Sequence, residues 1–248
     1  MADTHRPRVL GLAAERAAAR GTAVSAADVC AVAVAVGGAD GGWLTVMSDA
    51  ARRVLVHATS ARAAELEQLQ FALGEGPCVD AFASGTPVLV PELAAGSWQA
   101  RWPGFTMEAP AAAVFAFPLA SGAIRVGVLG LYRATPGSLS PGALADVLVC
   151  ADVALQLVLH SRAAADGDGD GAGRAHDSWA RNGWSDDHAR VYQATGMVSA
   201  QRRVGLEEAL ALLRAYAFAH DQGLGVVAAA VVGRRLRLDL DDTGEPVT

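Results

Sequence analysis

The sequence contains no lysine, and all of its twenty basic residues are arginine. A phosphate loop of the GxxxxGK[ST] type needs lysine, so the enzymes that depend on this loop are excluded. Arginine pairs with phosphate and stacks on planar bases, and its sole use therefore suits a nucleic-acid partner. A GC-rich genome explains the abundance of arginine, alanine, glycine and valine at least as well, and we give this explanation the larger share.

Aromatic residues make up only 6% of the chain and charged residues 19%, against 52% hydrophobic residues, many of them alanine. A chain this apolar folds, and its core is built from small side chains. The three cysteines, Cys30, Cys78 and Cys150, are far apart and form no CxxC pair. This spacing favours free thiols in a reducing compartment, and we expect a cytoplasmic protein.

Several sequence signals are missing. No uninterrupted apolar run approaches about 18 residues, and the charges within the first twenty residues are not typical of a signal peptide. The six histidines form no HExxH pair, and no GxSxG elbow occurs. We therefore expect no membrane span, no cofactor and no enzymatic activity. The net charge of −6 argues against nonspecific coating of nucleic acid, although a local basic face is compatible with it.

A stretch rich in glycine and aspartate divides the chain, and we predict a flexible linker over residues 163–184. Its aspartates imitate the start of an EF-hand calcium loop, with Asp166, Asp168, Asp170 and Gly171 in position and the last ligand at Asp177. That last ligand should be glutamate, and linker composition produces such a pattern by chance. We predict no metal site and keep calcium as a minor alternative.

The part before the linker mixes helical and strand periods. We predict a helical extension over residues 1–24 and a domain over residues 25–162, in which alternating segments form a mostly antiparallel sheet flanked by helices. The fold class is α+β. Its last helix starts at Ser140 and Pro141 and carries a seam with coiled-coil spacing, which favours a homodimer over a helix docked on its own sheet: Leu144, Leu148, Ala151, Leu155 and Val158.

The part after the linker predicts a bundle of three helices over residues 185–238, followed by an acidic tail over residues 239–248. The first helix begins at Ser185, the second follows Gly205, and the third follows Gly223. Each of the last two carries apolar residues on one face: Leu206, Ala209, Leu210, Leu213 and Ala217 on the second helix, and Leu224, Val227, Ala228 and Val231 on the third.

Two segments resemble known families. Residues 73–93, LGEGPCVDAFASGTPVLVPEL, together with AVFAFPL and RVGVLGLYR, resemble a GAF domain of the actinobacterial type. This resemblance implies a pocket for a small ligand. Trp98, Trp102 and Phe105 lie where a lid would form, although packing is the commoner role. The two glycines and the proline of GEGPC, residues 74–78, predict a tight loop at which the following helix starts. Cys78 is a candidate redox sensor at this helix N-terminus, and a packed structural loop is its alternative.

Residues 191–236, VYQATGMVSAQRRVGLEEALALLRAYAFAHDQGLGVVAAAVVGRRL, closely resemble an ANTAR domain. Their small residues, aromatic residues and helix breaks fall in that family's order, and a GAF domain followed by an ANTAR domain is a known pairing. The resemblance implies a three-helix module that acts as a transcription antiterminator by binding paired hairpins in nascent RNA.

The RNA-binding candidates are chosen for phosphate pairing, base stacking, base-edge contact or close backbone approach: Arg190, Gln193, Ala194, Gly196, Arg202, Arg203, Arg214 and Tyr216. A solvated face is the alternative for the arginines, and a core position is the alternative for Tyr216. A second function stays open, in which a redox or metabolite sensor uses its C-terminal helices to bind a protein. DNA binding is weaker, because no helix presents a dense row of base-reading side chains.

Overall fold

The computed structural model describes residues 4–48, 53–166 and 186–238. They separate into an N-terminal unit, residues 4–48 and 53–166, and a C-terminal unit, residues 186–238. The first unit's last helix continues to Asp166, so it enters the predicted linker. The predicted acidic tail, the rest of the linker and the remaining calcium-like pattern up to Asp177 lie outside the described residues.

The elements of the N-terminal unit follow one another in a fixed order along the chain. They are α1 His5–Ala19, α2 Ala26–Gly37, β1 Gly41–Met47, β2 Arg53–Ala58, α3 Ala61–Leu73, α4 Pro77–Ser84, β3 Val88–Val90, α5 Gly96–Arg101, α6 Pro103–Glu108, β4 Ala113–Ser121, β5 Ile124–Arg133 and α7 Pro141–Asp166. The sequence did not predict α5 and α6, which are six residues each and too short to show a helical period.

The five strands form one antiparallel sheet in the order β2-β1-β5-β4-β3. This confirms the predicted α+β class with an antiparallel sheet flanked by helices. Gly130 on β5 is paired with Trp43 on β1. A Cβ atom at Gly130 would collide with the Trp43 indole, so the missing side chain lets that ring lie against the sheet.

Helices cover both faces of the sheet, and each face has its own buried cluster. α1, α2 and α7 pack on one face around Phe115, Phe117 and Leu129. The other face buries Trp43, Leu66, Trp102 and Phe105 under α3 to α6. α2 starts as predicted, because Ser25 and Asp28 form a capping box at its first turn.

Ion pairs tie α1 to α7. Asp146, whose side chain is 2% exposed, accepts from His5 Nδ1 at 2.8 Å and from Arg8 Nη1 at 2.6 Å. Arg6 pairs with Asp152, which lies six residues further along α7. The predicted N-terminal extension is therefore packed onto the N-terminal unit.

The predicted seam on α7 is largely used inside its own unit, since Ala151, Leu155 and Val158 are buried in the cluster around Phe115. Leu148 remains 43% exposed beside a groove of about 210 Å³. Residues Pro141–Ser161 are also long and apolar enough on average to cross a membrane. The sequence prediction of no membrane span considered only uninterrupted apolar runs, and Asp146 and Asp152 interrupt the run in this helix. The buried core helices of soluble proteins reach the same average hydropathy, so the average alone does not identify a membrane span.

The C-terminal unit has three helices, α8 Asp186–Arg202, α9 Leu206–Ala219 and α10 Leu224–Val232. The two later helices begin after Gly205 and Gly223 as predicted. The predicted apolar faces of α9 and α10 form the interior: Ala209, Leu210, Leu213 and Ala217 on α9, and Leu224, Val227, Ala228 and Val231 on α10. Leu206, which was assigned to the α9 face, is 41% exposed because it stands at the start of the helix.

Candidate functional site

The interior between the sheet and α3 holds buried polar side chains. Trp43 Nε1 donates a hydrogen bond to Glu67 Oε2 at 3.0 Å, and Arg53 Nη1 lies 3.5 Å from Glu67 Oε1. The Arg53 guanidinium also lies over the Phe71 ring, 5.1 Å from its centroid. Burial raises the pKa of Glu67, while the charge of Arg53 opposes this shift. The sequence did not predict this cluster, because only the pairing of β1 with β2 and the docking of α3 bring the residues together.

The side chain of Gln70, on α3, contacts the GEGPC loop. Its Oε1 accepts a hydrogen bond from the Cys78 backbone N–H at 2.8 Å, and its Nε2 donates to the Leu66 carbonyl at 3.3 Å. Gly76 has φ of 126°, and a Cβ atom there would lie 2.6 Å from the Gln70 side chain. Only glycine fits this turn, and α4 begins at Pro77 directly after it.

The Cys78 thiol lies in the core at 1% exposure. Burial raises its pKa, and the nearby Glu67 carboxylate raises it further. A redox-sensing cysteine needs an accessible thiol with a lowered pKa. The geometry of Cys78 thus favours the packed structural loop over the sensor. Cys30 and Cys150 are also free and buried, and burial raises the pKa of each to about 12.

The three aromatic residues of the predicted lid are mainly packing residues. Trp102 and Phe105 are buried, and Trp102 Nε1 donates to Asp80 Oδ2 at 3.0 Å. Trp98 stacks on Trp102 with ring centroids 5.1 Å apart and remains partly exposed. In the described part of the chain, no group of three or more histidine, cysteine or acidic side chains is placed to hold a metal ion.

The five-stranded antiparallel sheet with flanking helices agrees with the comparison with known families. Residues 26–146 match the GAF domain family. The chain contains a GAF domain. The GAF domain accounts for β1 to β5 and the helices between them, and it indicates a role in sensing a ligand or another signal.

Several solved structures are similar to the chain. The GAF domain of a phosphoenolpyruvate-protein phosphotransferase from Coxiella burnetii is 14% identical, with a TM-score of 0.49 over 64% of this chain and 96% of that one. The corresponding Acinetobacter domain is 13% identical, with a TM-score of 0.49 over 67% and 99%. The GAF-B domain of DevS from Mycobacterium smegmatis is 21% identical, with a TM-score of 0.38 over 54% and 92%. Identities this low carry no information about ligands. No curated protein matches the sequence.

The C-terminal unit lies beyond the family match and carries the predicted RNA-binding residues. Gln193 and Gly196 lie one turn apart on the exposed side of α8, and Ala200 follows one turn later on the same side. Arg190 is exposed at the edge of this side, and Arg203 is exposed just after the helix ends. We call Gln193, Gly196 and Ala200, with Arg190 and Arg203, the α8 face.

Gly196 has no packing role in this unit. A Cβ atom built there would meet no other atom within 4 Å. Ala194, by contrast, is fully buried, so it supports the interior of the unit and cannot contact a macromolecule directly. Thr195 is buried as well, and its hydroxyl donates to the Val191 carbonyl at 2.7 Å. Close helix packing therefore explains the small Ala194 side chain but leaves Gly196 unexplained.

The remaining candidates differ in their surroundings. Arg202 is half-buried, and its Nη1 donates to the Leu238 carbonyl at 3.0 Å. Tyr216 is partly exposed, and its ring stacks on His220 with centroids 3.9 Å apart. Arg214 is partly exposed on α9. Arg202 thus has a structural contact, and one side of the Tyr216 ring is already covered.

Charge separates this unit from the chain as a whole. Residues 186–238 contain seven arginines against Asp186, Asp187, Glu207, Glu208 and Asp221, a net charge of +2 in a chain of net −6. Glu207 and Glu208 both stand in the first turn of α9, where the positive end of the helix dipole favours them. Five of the seven arginines are exposed to solvent: Arg190, Arg203, Arg234, Arg235 and Arg237.

Proposed function

We propose that this protein is a cytoplasmic transcription antitermination regulator, in which the GAF domain receives a ligand or another signal and the C-terminal unit binds RNA hairpins in nascent transcripts. The observation that carries the proposal is the exposed, unpacked Gly196 in the middle of α8. Glycine costs about 1 kcal/mol relative to alanine inside a helix, and packing offers no compensation here. Close approach of a binding partner to the helix backbone would compensate for this cost.

The chemistry of the α8 face suits RNA. Gln193 offers an amide that hydrogen-bonds to a base edge, and Arg190 and Arg203 supply charge for phosphates at the margins of the face. The net charge of +2 on this unit, in a chain that is acidic as a whole, favours a polyanion. The resemblance of residues 191–236 to the ANTAR domain selects hairpin RNA among polyanions.

The signal passes from the GAF domain through α7, whose C-terminal end at Asp166 leads toward the C-terminal unit in the chain. We propose that the signal regulates RNA binding by releasing or masking the α8 face. A homodimer would hold two such faces together, and the resulting effective concentration would reward paired hairpins over single ones. The exposed Leu148 on α7 is the residue that such an interface would cover.

Crosslinking of the full chain to cellular RNA tests the proposal. Recovered fragments should contain paired short hairpins upstream of a terminator, and an Arg203→Glu variant should lose them. Recovery of a protein partner without enrichment of hairpin RNA would instead support the protein-binding sensor.

Sedimentation of the variant Leu148→Glu, beside the exposed control Gln156→Glu, tests the proposed dimer. Only Leu148→Glu should reduce the sedimenting mass of the protein.

A further inference from the structure

The α9 helix exposes an aromatic ring that the α8 face does not include. Phe218 is 87% exposed, the most of any large hydrophobic side chain in the described residues. It directly follows the buried Ala217, and the helical rotation of about 100° per residue turns it away from the interior. Its ring therefore contributes nothing to the core of this unit.

The backbone beneath this ring is fixed. Asp221 N–H donates to the Phe218 carbonyl at 3.2 Å, and Gln222 N–H donates to the Ala217 carbonyl at 2.9 Å. These bonds close the C-terminal turn of α9, where Asp221 adopts φ of 50°. A ring on a rigid helix end has only two side-chain torsions to order, so a partner can use it at low entropic cost.

The neighbours of Phe218 on its side of α9 are small or charged. Arg214 precedes it by one turn, and positions i and i+4 of a helix share a face. Ala211 and Ala215 are exposed alanines nearby on the same helix. A protein-docking patch needs contiguous apolar surface, whereas a single ring beside a guanidinium suits a base and its phosphate.

We propose that Phe218 is a stacking platform for an unpaired base of the bound RNA, while Arg214 holds a neighbouring phosphate. The inference rests on the proposed RNA-binding function and adds a second contact surface on α9 to the α8 face. Aromatic rings accept any base, because every base has a π-face. Phe218 thus contributes affinity for single-stranded loop nucleotides with little dependence on their identity.

The test uses the full chain and an RNA that carries two short stem-loops, with a fully paired duplex of equal length for comparison. Phe218→Ala should weaken binding of the stem-loop RNA about tenfold or more. Phe218→Trp should retain it, and Phe218→Leu should not. Val226→Ala is the matched control, since Val226 is an exposed apolar residue, 62% accessible, on α10.

Salt dependence separates stacking from charge. Stacking releases no counterions, so Phe218→Ala should leave the slope of log K against log salt unchanged, whereas Arg214→Ala should lower it. Affinity of Phe218→Ala equal to that of the parent chain would overturn this inference alone. A parent chain that fails to bind the stem-loop RNA would overturn the proposed function with it. A fall in sedimenting mass for Phe218→Ala, with RNA affinity retained, would assign the ring to a protein interface.

Discussion

The guanidinium of Arg202 donates a hydrogen bond to the backbone carbonyl of Leu238, 36 positions further along the chain. This contact joins the C-terminal end of α8 to the segment that follows α10. The neighbouring Arg203 is exposed and has φ of 56°, so it stands in a left-handed turn after the helix. Two adjacent arginines that look equivalent in sequence thus have different surroundings.

The first prediction separates these arginines. Arg202→Ala should lower the free energy of unfolding by about 1.5–3 kcal/mol, because a charge-assisted hydrogen bond to a carbonyl is lost. Arg203→Ala should leave the melting temperature unchanged and reduce RNA affinity and its salt slope. Thermal unfolding and salt titrations of both variants measure these effects. Equal destabilisation by both substitutions would contradict the structural role assigned to Arg202.

The second prediction concerns Gly196. Gly196→Ala should stabilise the C-terminal unit by about 0.5–1 kcal/mol, because alanine is the better helix former and its Cβ meets no atom. RNA binding should weaken, since the methyl group stands on the α8 face. Gly142→Ala is the control, because Gly142 is an exposed glycine in α7 with open space around it. It should leave RNA binding intact, and unchanged binding by Gly196→Ala would remove the main support for the proposed function.

The third prediction concerns the buried carboxylate of the GAF domain. Glu67→Ala should destabilise the domain by about 3 kcal/mol or more, because it leaves Trp43 Nε1 without its acceptor and the Arg53 charge without this carboxylate. Glu65→Ala, on the exposed side of the same helix, should change little. Denaturant unfolding followed by tryptophan fluorescence compares the two. A similar small effect for both would show that the buried cluster contributes little to stability.

The fourth prediction is a pH dependence at Asp28. Burial opposes ionisation of this carboxyl, but hydrogen bonds from Arg20 and Ser25 prevail and lower its pKa to about 2. A lowered folded-state pKa contributes stability that is fully present above the ordinary value near pH 4 and is lost as the pH falls toward 2. Asp28→Asn should therefore cost up to about 2 kcal/mol at pH 7 and almost nothing at pH 2. A cost independent of pH would contradict the charged state of Asp28.

Local sequence patterns predicted most of the elements. Alternation along WLTVMSD, residues 43–49, and RVLVHATS, residues 53–60, predicted the strand pair that the structure forms as β1 and β2. The spacing of Leu210, Leu213 and Ala217 predicted the buried face of α9. The GEGPC loop was expected to be tight, and the positive φ of Gly76 explains why. These features depend on neighbours within a few residues, which sequence patterns record.

Features that join distant residues were not predictable in this way. His5 and Asp146 are 141 positions apart, and Trp43 and Glu67 meet only after the sheet and α3 assemble. The period of the α7 seam could not show that Ala151, Leu155 and Val158 are buried in their own unit, because an apolar stripe has the same period whether it faces a partner or its own sheet. The period likewise could not show that Ala194 is buried while Gly196 is exposed, since both are small residues in one helix.

The most direct test of RNA binding is an equilibrium titration of the full chain with the two-stem-loop RNA over a range of salt concentrations. If the C-terminal unit binds RNA hairpins, we expect saturable binding that weakens as salt rises, preference for stem-loops over a duplex of equal length, and loss of that preference in Gly196→Ala and Phe218→Ala. Binding that is absent, or equal for stem-loop and duplex RNA, would contradict the proposed function.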